Sequence, residues 1–132
     1  MGFDQYHEPP QELPEETRTF ARLCASLTEE AEAIGWYEQR LAVERDPEAR
    51  AVMSDAVGEE FKHFSMDLEF LLRRKSKWRE IARGVLFQDG DIVEHGEAAE
   101  AAAGDSDSND NPVSQPPVSA GSLGIGSLKE GR

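Results

Sequence analysis

Residues 15–75 read EETRTFARLCASLTEEAEAIGWYEQRLAVERDPEARAVMSDAVGEEFKHFSMDLEFLLRRK, and this stretch decides the fold. Its first half, from Glu15 to about Glu44, repeats apolar residues in alternating steps of three and four, which is the spacing of one helix face. Glu30 is the one charged residue on that face, and the face as a whole consists of Phe20, Leu23, Leu27, Glu30, Ile34, Tyr37 and Leu41. The pattern predicts a long first helix with a carboxylate in its core stripe.

The segment ERDPE, residues 44–48, separates this helix from a second one. Asp46 suits the N-cap position and Pro47 the first helical position, so the second helix is predicted from Pro47 to about Lys75. Because the connection is so short, the two helices must run antiparallel as a hairpin.

The remaining chain divides by composition. Residues 1–12, which contain two prolines, are predicted to be an irregular N-terminal arm, and residues 13–95 to be the helical domain. Ser76 is expected to cap a short third helix, Lys77 to Arg83. Residues 96–120 are rich in Ala, Gly, Ser, Asp and Pro, and they are predicted to form a disordered acidic linker.

Apolar residues return only at the end of the chain, in GSLGIGSLKEGR, residues 121–132. Leu123, Ile125 and Leu128 are separated by small residues, a pattern that suits an extended peptide whose side chains enter separate pockets of a partner. A tail with chance aliphatic residues is the alternative. The docking peptide is the interpretation that the spacing favours.

Length and charge limit the classes of function. The chain has 132 residues and a net charge of −13, so we expect one domain and no nucleic-acid or anionic-membrane partner. No apolar run reaches the roughly 18 residues that span a bilayer, and the N-terminus does not resemble a signal peptide. The single cysteine, Cys24, excludes an internal disulfide and a cysteine-pair metal site, which fits a reducing cytoplasm.

The chemistry is indicated by Glu60-Phe61-Lys62-His63, which places a carboxylate and an imidazole one helical turn apart. Alone this pattern is common, and a solvent-facing or core-satisfied histidine is then the favoured interpretation. Glu30 on the facing helix favours a metal site over a structural histidine. An unpaired carboxylate in a helix seam costs several kcal/mol of folding free energy unless a cation compensates it. Metal binding supplies that compensation.

Di-iron carboxylate bundles use one Glu from each of two helices and a Glu-x-x-His from each of two others, and this chain offers one of each. A hairpin of this size also leaves an apolar face exposed. A two-fold dimer would therefore build a four-helix bundle that contains Glu30, Glu60, His63 and their symmetry mates. Such ligands suit Fe(II), although zinc and manganese remain open.

The motifs EEAEAIGWYEQR (29–40), EEFKH (59–63) and GSLGIGSLK (121–129) together resemble those of the encapsulated ferritins. The resemblance implies a ferritin-like all-α fold and a ferroxidase that takes two irons per dimer. It further implies a ring-shaped assembly of dimers, expected to be a decamer. The terminal peptide would load the ring into an encapsulin nanocompartment in a prokaryotic cytoplasm, for iron storage and detoxification.

The same resemblance assigns roles to individual residues. It implies that Glu30, Glu60 and His63 are the ferroxidase ligands and that Tyr37 lies near them. Its further implications concern the approach of metal ions: Glu29 and Glu32 would form a secondary acidic site for iron, Ca²⁺ or another divalent cation, and Trp36 would stand at the entrance.

Two other functions stay open from the residues alone. One is a non-catalytic cargo module that merely holds a divalent ion. The other is a peroxide-reducing protein of the rubrerythrin kind, which is less favoured because one cysteine cannot form a rubredoxin-like electron-donor site. His7 and Glu8, in the N-terminal arm, offer two potential metal ligands, but a solvated tail is the favoured interpretation. Cys24 carries no functional signal, and we expect it to pack in the core.

Overall fold

The computed structural model describes residues 5–104, and four α-helices make up most of this part of the chain. They are α1 (Glu15–Val43), α2 (Pro47–Leu72), α3 (Ser76–Val85) and α4 (Ile92–Ala103), and a 3₁₀ turn at Pro10–Glu12 precedes them. Residues 5–104 contain no strand, so the predicted all-α fold is confirmed. None of these helices has both the length and the apolarity that crossing a bilayer requires.

The turn between α1 and α2 forms as the sequence predicts. The Asp46 carboxylate accepts a hydrogen bond from the Ala49 amide over 2.8 Å, and Pro47 occupies the first helical position. Arg50, one turn into α2, donates to the carbonyl oxygens of Leu41 and Glu44 at the end of α1. A side chain of α2 therefore caps the end of α1, and the two helices pack along their lengths as an antiparallel hairpin.

The boundary between α2 and α3 differs slightly from the prediction. α2 ends at Leu72 and α3 begins at Ser76, so Ser76 is the first helical residue and Lys75 holds the N-cap position. α3 contacts the hairpin through Trp78, whose ring meets that of Phe20 edge to face with centroids 6.5 Å apart. This contact holds the third helix against the start of the first.

The prediction that a disordered linker begins at residue 96 is wrong, because residues 96–103 belong to α4. Asp91 caps this helix by accepting a hydrogen bond from the Glu94 amide over 2.9 Å. Residues 96–103 themselves consist mainly of Ala and Glu, which have high helix propensity, and packing on α3 stabilises the helix. The rest of the predicted linker, from residue 105, lies outside the described residues.

Gly84 explains how closely α4 approaches α3. Gly84 lies inside α3, although the third helix was predicted to end at Arg83. A Cβ atom added at Gly84 would come 2.5 Å from the Cβ of Ala99, which is too close for two methyl groups. The backbones of α3 and α4 can meet at this point because glycine has only a hydrogen atom as its side chain.

Large apolar side chains remain exposed on the single chain. The buried apolar residues among those described are few, namely Ala25, Val57, Leu71 and Leu72. By contrast, Trp36, Phe61 and Met66 on the hairpin expose 53%, 55% and 62% of their surfaces. Three such residues on one hairpin are typical of a surface that a protein partner covers.

Candidate metal centre

Glu30 from α1 meets Glu60 and His63 from α2 between the two helices of the hairpin. One ligand atom from each of these side chains lies within 4.8 Å of the other two. In the described part of the chain, no other group of three or more Asp, Glu, His or Cys side chains comes together this tightly. The structure thus brings together the three residues that the sequence singled out, and their role as metal ligands stays a prediction.

The His63 imidazole lies between two carboxylates of its own helix. Its Nδ1 atom is 3.7 Å from Glu60 Oε2, and its Nε2 atom is 4.0 Å from Glu59 Oε2. Lys62 donates a hydrogen bond to Glu59 and holds the pKa of that exposed carboxyl below its ordinary value. The imidazole keeps 45% of its surface exposed, so a second molecule could reach it.

Glu30 is the most strongly perturbed acid of the site. Burial, together with a hydrogen bond to Asp67 and the charge of Asp67, raises the pKa of Glu30 to about 7, while His63 acts in the opposite direction. Its Oε2 atom is buried and has no hydrogen-bond partner. A cation at this position would supply the missing partner and would favour the ionised carboxylate.

Asp67 is a residue of this site that sequence analysis missed. It follows His63 by four positions on α2 and therefore lies on the same helix face, and it is one of the groups that raise the pKa of Glu30. One of its oxygens, Oδ2, is also buried without a partner. Extending the Glu60–His63 spacing by one further helical turn would have identified it.

The sequence profile of the EncFtn-like family matches residues 5–89, which include α1, α2, α3 and the three converging side chains. The chain belongs to the EncFtn-like family. The resemblance to encapsulated ferritins, expected from the sequence motifs, is thereby confirmed. α4 and the remaining C-terminal residues lie beyond the family match.

Individual relatives agree with this assignment. An encapsulated ferritin-like protein of Rhodospirillum rubrum is 42% identical over 125 residues, which cover 93% of this chain and 86% of that protein. A ferritin-like protein of Thermotoga maritima is 43% identical over 91 residues, covering 69% and 80% of the two chains. A crystal structure of a Nitrosomonas europaea protein aligns with TM-score 0.65 and 37% identity, over 67% of this chain and 99% of that one.

Tyr37 does not join the three residues within a single EncFtn-like chain. It follows Glu30 by seven positions, which corresponds to about 10 Å along the axis of α1. The Arg40 guanidinium lies over its ring, 5.3 Å from the centroid, and the ring is partly buried. A role for Tyr37 near the metal therefore depends on how a second chain packs.

The expected secondary site of this EncFtn-like chain consists of exposed side chains on α1. Glu29 and Glu32 are both exposed, and Glu32 borders a surface depression that Thr28 and Phe64 also line. Trp36, one turn beyond Glu32, is 53% exposed. Their positions suit contact with ions from solvent, and they equally suit an ordinary solvated helix face.

Other predicted positions contribute nothing to the centre or lie outside the described residues. Burial raises the pKa of the Cys24 thiol, which favours the protonated and unreactive form. His7 is exposed in the N-terminal arm. The predicted docking residues Leu123, Ile125 and Leu128 lie outside the residues that the structure describes.

Proposed function

We propose that two copies of this EncFtn-like chain pair to form a ferroxidase that oxidises Fe(II) to Fe(III). The observation that carries the proposal is the convergence of Glu30, Glu60 and His63 from two helices of one chain. These residues are half of the ligand set of a di-iron carboxylate bundle, which takes a second Glu and a second Glu-x-x-His from two further helices. Iron is the substrate in this proposal.

The second half of the site would come from a two-fold related copy. Three ligands per chain become six in a dimer, and an isologous contact buries the same surface on both partners. Phe61, which is next to Glu60 in sequence, is 55% exposed. The His63 side chain is 45% exposed. One dimer contact could therefore cover exposed apolar surface and complete the ligand set.

The donor atoms support iron chemistry. Carboxylate oxygens and imidazole nitrogen suit Fe(II), and negatively charged ligands stabilise Fe(III) more than Fe(II) because the attraction grows with the charge on the ion. The buried, unpartnered Oε2 of Glu30 gives such an ion a specific position. Two Fe(II) ions held together would each give one electron to dioxygen or peroxide as the oxidant.

Aerobic titration of the purified full-length protein with Fe(II), followed by absorbance and native mass spectrometry, tests this function. We expect oxidation to saturate at two irons per dimer, with a dimer or a ring of dimers as the species that carries iron. Tight binding of Fe(II) without oxygen consumption would instead indicate a metal-holding cargo module. Oxidation that needs only one chain would contradict the shared site.

We also propose that the chain is cargo of an encapsulin shell, a ring of dimers tethered through its last twelve residues, 121–132. The support is the GSLGIGSLK motif in the sequence and the R. rubrum relative, which is itself described as encapsulated and aligns over most of this chain. In this arrangement the ring oxidises iron and the shell provides the space for mineral. Glu29 and Glu32 would guide ions toward the centre past Trp36.

Deletion of residues 121–132 tests the docking peptide separately from the chemistry. We expect the truncated protein to assemble and oxidise Fe(II) at the rate of the full chain. Its co-purification with a co-expressed encapsulin shell should be lost. If the truncated chain were loaded as well as the full one, the tail would have no docking role.

A further inference from the structure

Four large apolar side chains are exposed where the chain turns from α3 into α4. Leu86 and Phe87 follow the last residue of α3, and Ile92 and Val93 are the first two residues of α4. The ring of Phe87 is exposed completely. These four residues, called the loop patch below, lie at the edge of the family match, which ends at residue 89.

The loop holds Phe87 in solvent through a defined geometry. The Gln88 side-chain amide donates to the Arg83 carbonyl oxygen over 3.3 Å, and His95 Nε2 donates to the Asp89 carbonyl oxygen over 2.7 Å. The backbone φ of Phe87 is 60°, a left-handed conformation that is strained for an aromatic residue. Strain and an exposed ring both cost free energy in the single chain, and contact with a ligand would offset them.

Negative charge surrounds the loop patch in sequence. Residues 84–104 contain no Lys or Arg, and their acidic residues are Asp89, Asp91, Glu94, Glu97 and Glu100. A symmetric contact between the loop patches of two copies would bring like charges together, which disfavours that pairing. The chemistry of the patch instead fits an apolar peptide that carries positive charge.

The terminal peptide, residues 121–132, has this chemistry. Its aliphatic residues are Leu123, Ile125 and Leu128, and its Lys129 and Arg132 are the only Lys or Arg residues that follow Arg83. The last helix, α4, ends at Ala103 and is about 18 Å long. Because an extended chain from residue 104 to residue 123 spans up to about 60 Å, the terminal peptide can reach back past α4 to the loop patch.

We propose that the loop patch is a docking site for the terminal peptide of the same chain. The three aliphatic side chains of the peptide would cover Phe87 and its apolar neighbours, and its two cations would lie near the carboxylates. Tethering gives a local concentration on the order of 1 mM, so a contact that is weak between separate molecules is occupied within one chain. The contact covers apolar residues of the peptide until a tighter-binding partner displaces it.

Photo-cross-linking tests this contact in the full-length protein, without shell and without iron. The aromatic analogue p-benzoylphenylalanine replaces Phe87, whose full exposure means that no packing is disturbed. After irradiation, peptide mass spectrometry should find adducts between position 87 and residues 121–132, in a product with the denatured mass of one chain. The same analogue at Val52, an exposed apolar residue of α2, is the matched control and should give no such adducts.

Two sets of substitutions in the terminal peptide separate its apolar and charged contributions. Leu123→Ser, Ile125→Ser and Leu128→Ser together keep the length and charge. They should lower the adduct yield roughly tenfold or more, because burial of even one aliphatic side chain is worth such a factor. Lys129→Glu with Arg132→Glu keeps the aliphatic residues and should lower the yield at low salt, with a smaller difference at high salt.

Four results would overturn the proposal: no adducts between position 87 and residues 121–132, an equal yield of them from position 52, a yield that either set of substitutions leaves unchanged, or adducts that join two chains. The last result would assign the loop patch to contact between copies. Failure of the proposed ferroxidase or of shell docking is distinguishable, because the cross-linking sample contains neither iron nor shell.

Discussion

The α1–α2 hairpin and the α3–α4 pair bury different kinds of surface. Inside the hairpin, acidic side chains and an imidazole meet, and buried atoms of Glu30 and Asp67 lack hydrogen-bond partners. Between α3 and α4, Gly84 meets Ala99 so closely that no additional methyl group fits. The first contact leaves buried polar atoms without partners, which costs stability, and the second is a close packing of small apolar residues.

This difference indicates a division of labour within the EncFtn-like chain. In the proposed dimer, a second chain and a cation complete the polar seam, so hairpin stability should respond to dimerisation and metal. A close-packed small-residue contact responds to neither. Variants in the two regions should therefore affect different measurements.

The largest effect is expected from Glu60→Ala. Loss of a direct ligand should reduce Fe(II) oxidation by more than the roughly 10- to 100-fold typical of outer-sphere partners, because the ion loses part of its own coordination. Glu30→Ala and His63→Ala should behave alike, while Glu38→Ala, which removes an exposed carboxylate of α1, should not. Unchanged oxidation rates in all three would show that the hairpin seam is not the reactive centre.

Gly84→Ala should weaken the α3–α4 contact and leave the chemistry in place. The new methyl would overlap Ala99, and overpacking of this kind costs about 1–3 kcal/mol of unfolding free energy. Adding Ala99→Gly removes the overlap and should recover part of that loss, which thermal unfolding can measure. If Gly84→Ala alone were as stable as the parent chain, α3 and α4 would move apart without loss of unfolding free energy. The saturating number of irons per dimer should be the same in all these proteins.

The pH dependence of the unfolding free energy should distinguish the hairpin, which contains Glu30, from the α3–α4 pair. The pKa of Glu30 is raised from 4.5 to about 7, so between these values the folded chain binds more protons than the unfolded chain. The unfolding free energy of the metal-free protein should therefore fall as pH rises through this range, by an amount that partial exposure of Glu30 to solvent reduces.

Glu30→Gln should remove that part of the pH dependence, because the amide does not ionise. Chemical denaturation at several pH values measures it, and Glu38→Gln is the control on the same helix. An identical slope in Glu30→Gln and the parent chain would assign the dependence to other groups.

The smallest effects are expected at the helix caps. Asp46→Ala removes the N-cap of α2 and should lower the unfolding free energy by about 1 kcal/mol. Asp91→Ala removes the equivalent cap of α4, which contacts mainly α3, so it should expose the amides of α4 to hydrogen exchange with little effect on global unfolding. If Asp91→Ala accelerated hydrogen exchange in the hairpin as much as in α4, the hairpin and the α3–α4 pair would unfold as one unit.

Local sequence patterns predicted most of the hairpin, for identifiable reasons. Asp46 and Pro47 act within a few residues of their own positions, so the turn could be read directly from the sequence. The start of α4 carried a similar signal at Asp91, but the acidic, Ala-rich composition was interpreted as linker. Composition alone does not distinguish a helix that finds a packing partner from one that does not.

The amino-acid sequence by itself determined the two long helices, their antiparallel connection and the trio of Glu30, Glu60 and His63, because helical periodicity and capping depend on near neighbours in the chain. Only the tertiary structure decided that Asp67 lies near enough to raise the pKa of Glu30 and that Gly84 meets Ala99. Those contacts depend on the rotation and separation of packed helices. A periodic pattern identifies which face is buried, but it leaves open which side chain on one face meets which on the other.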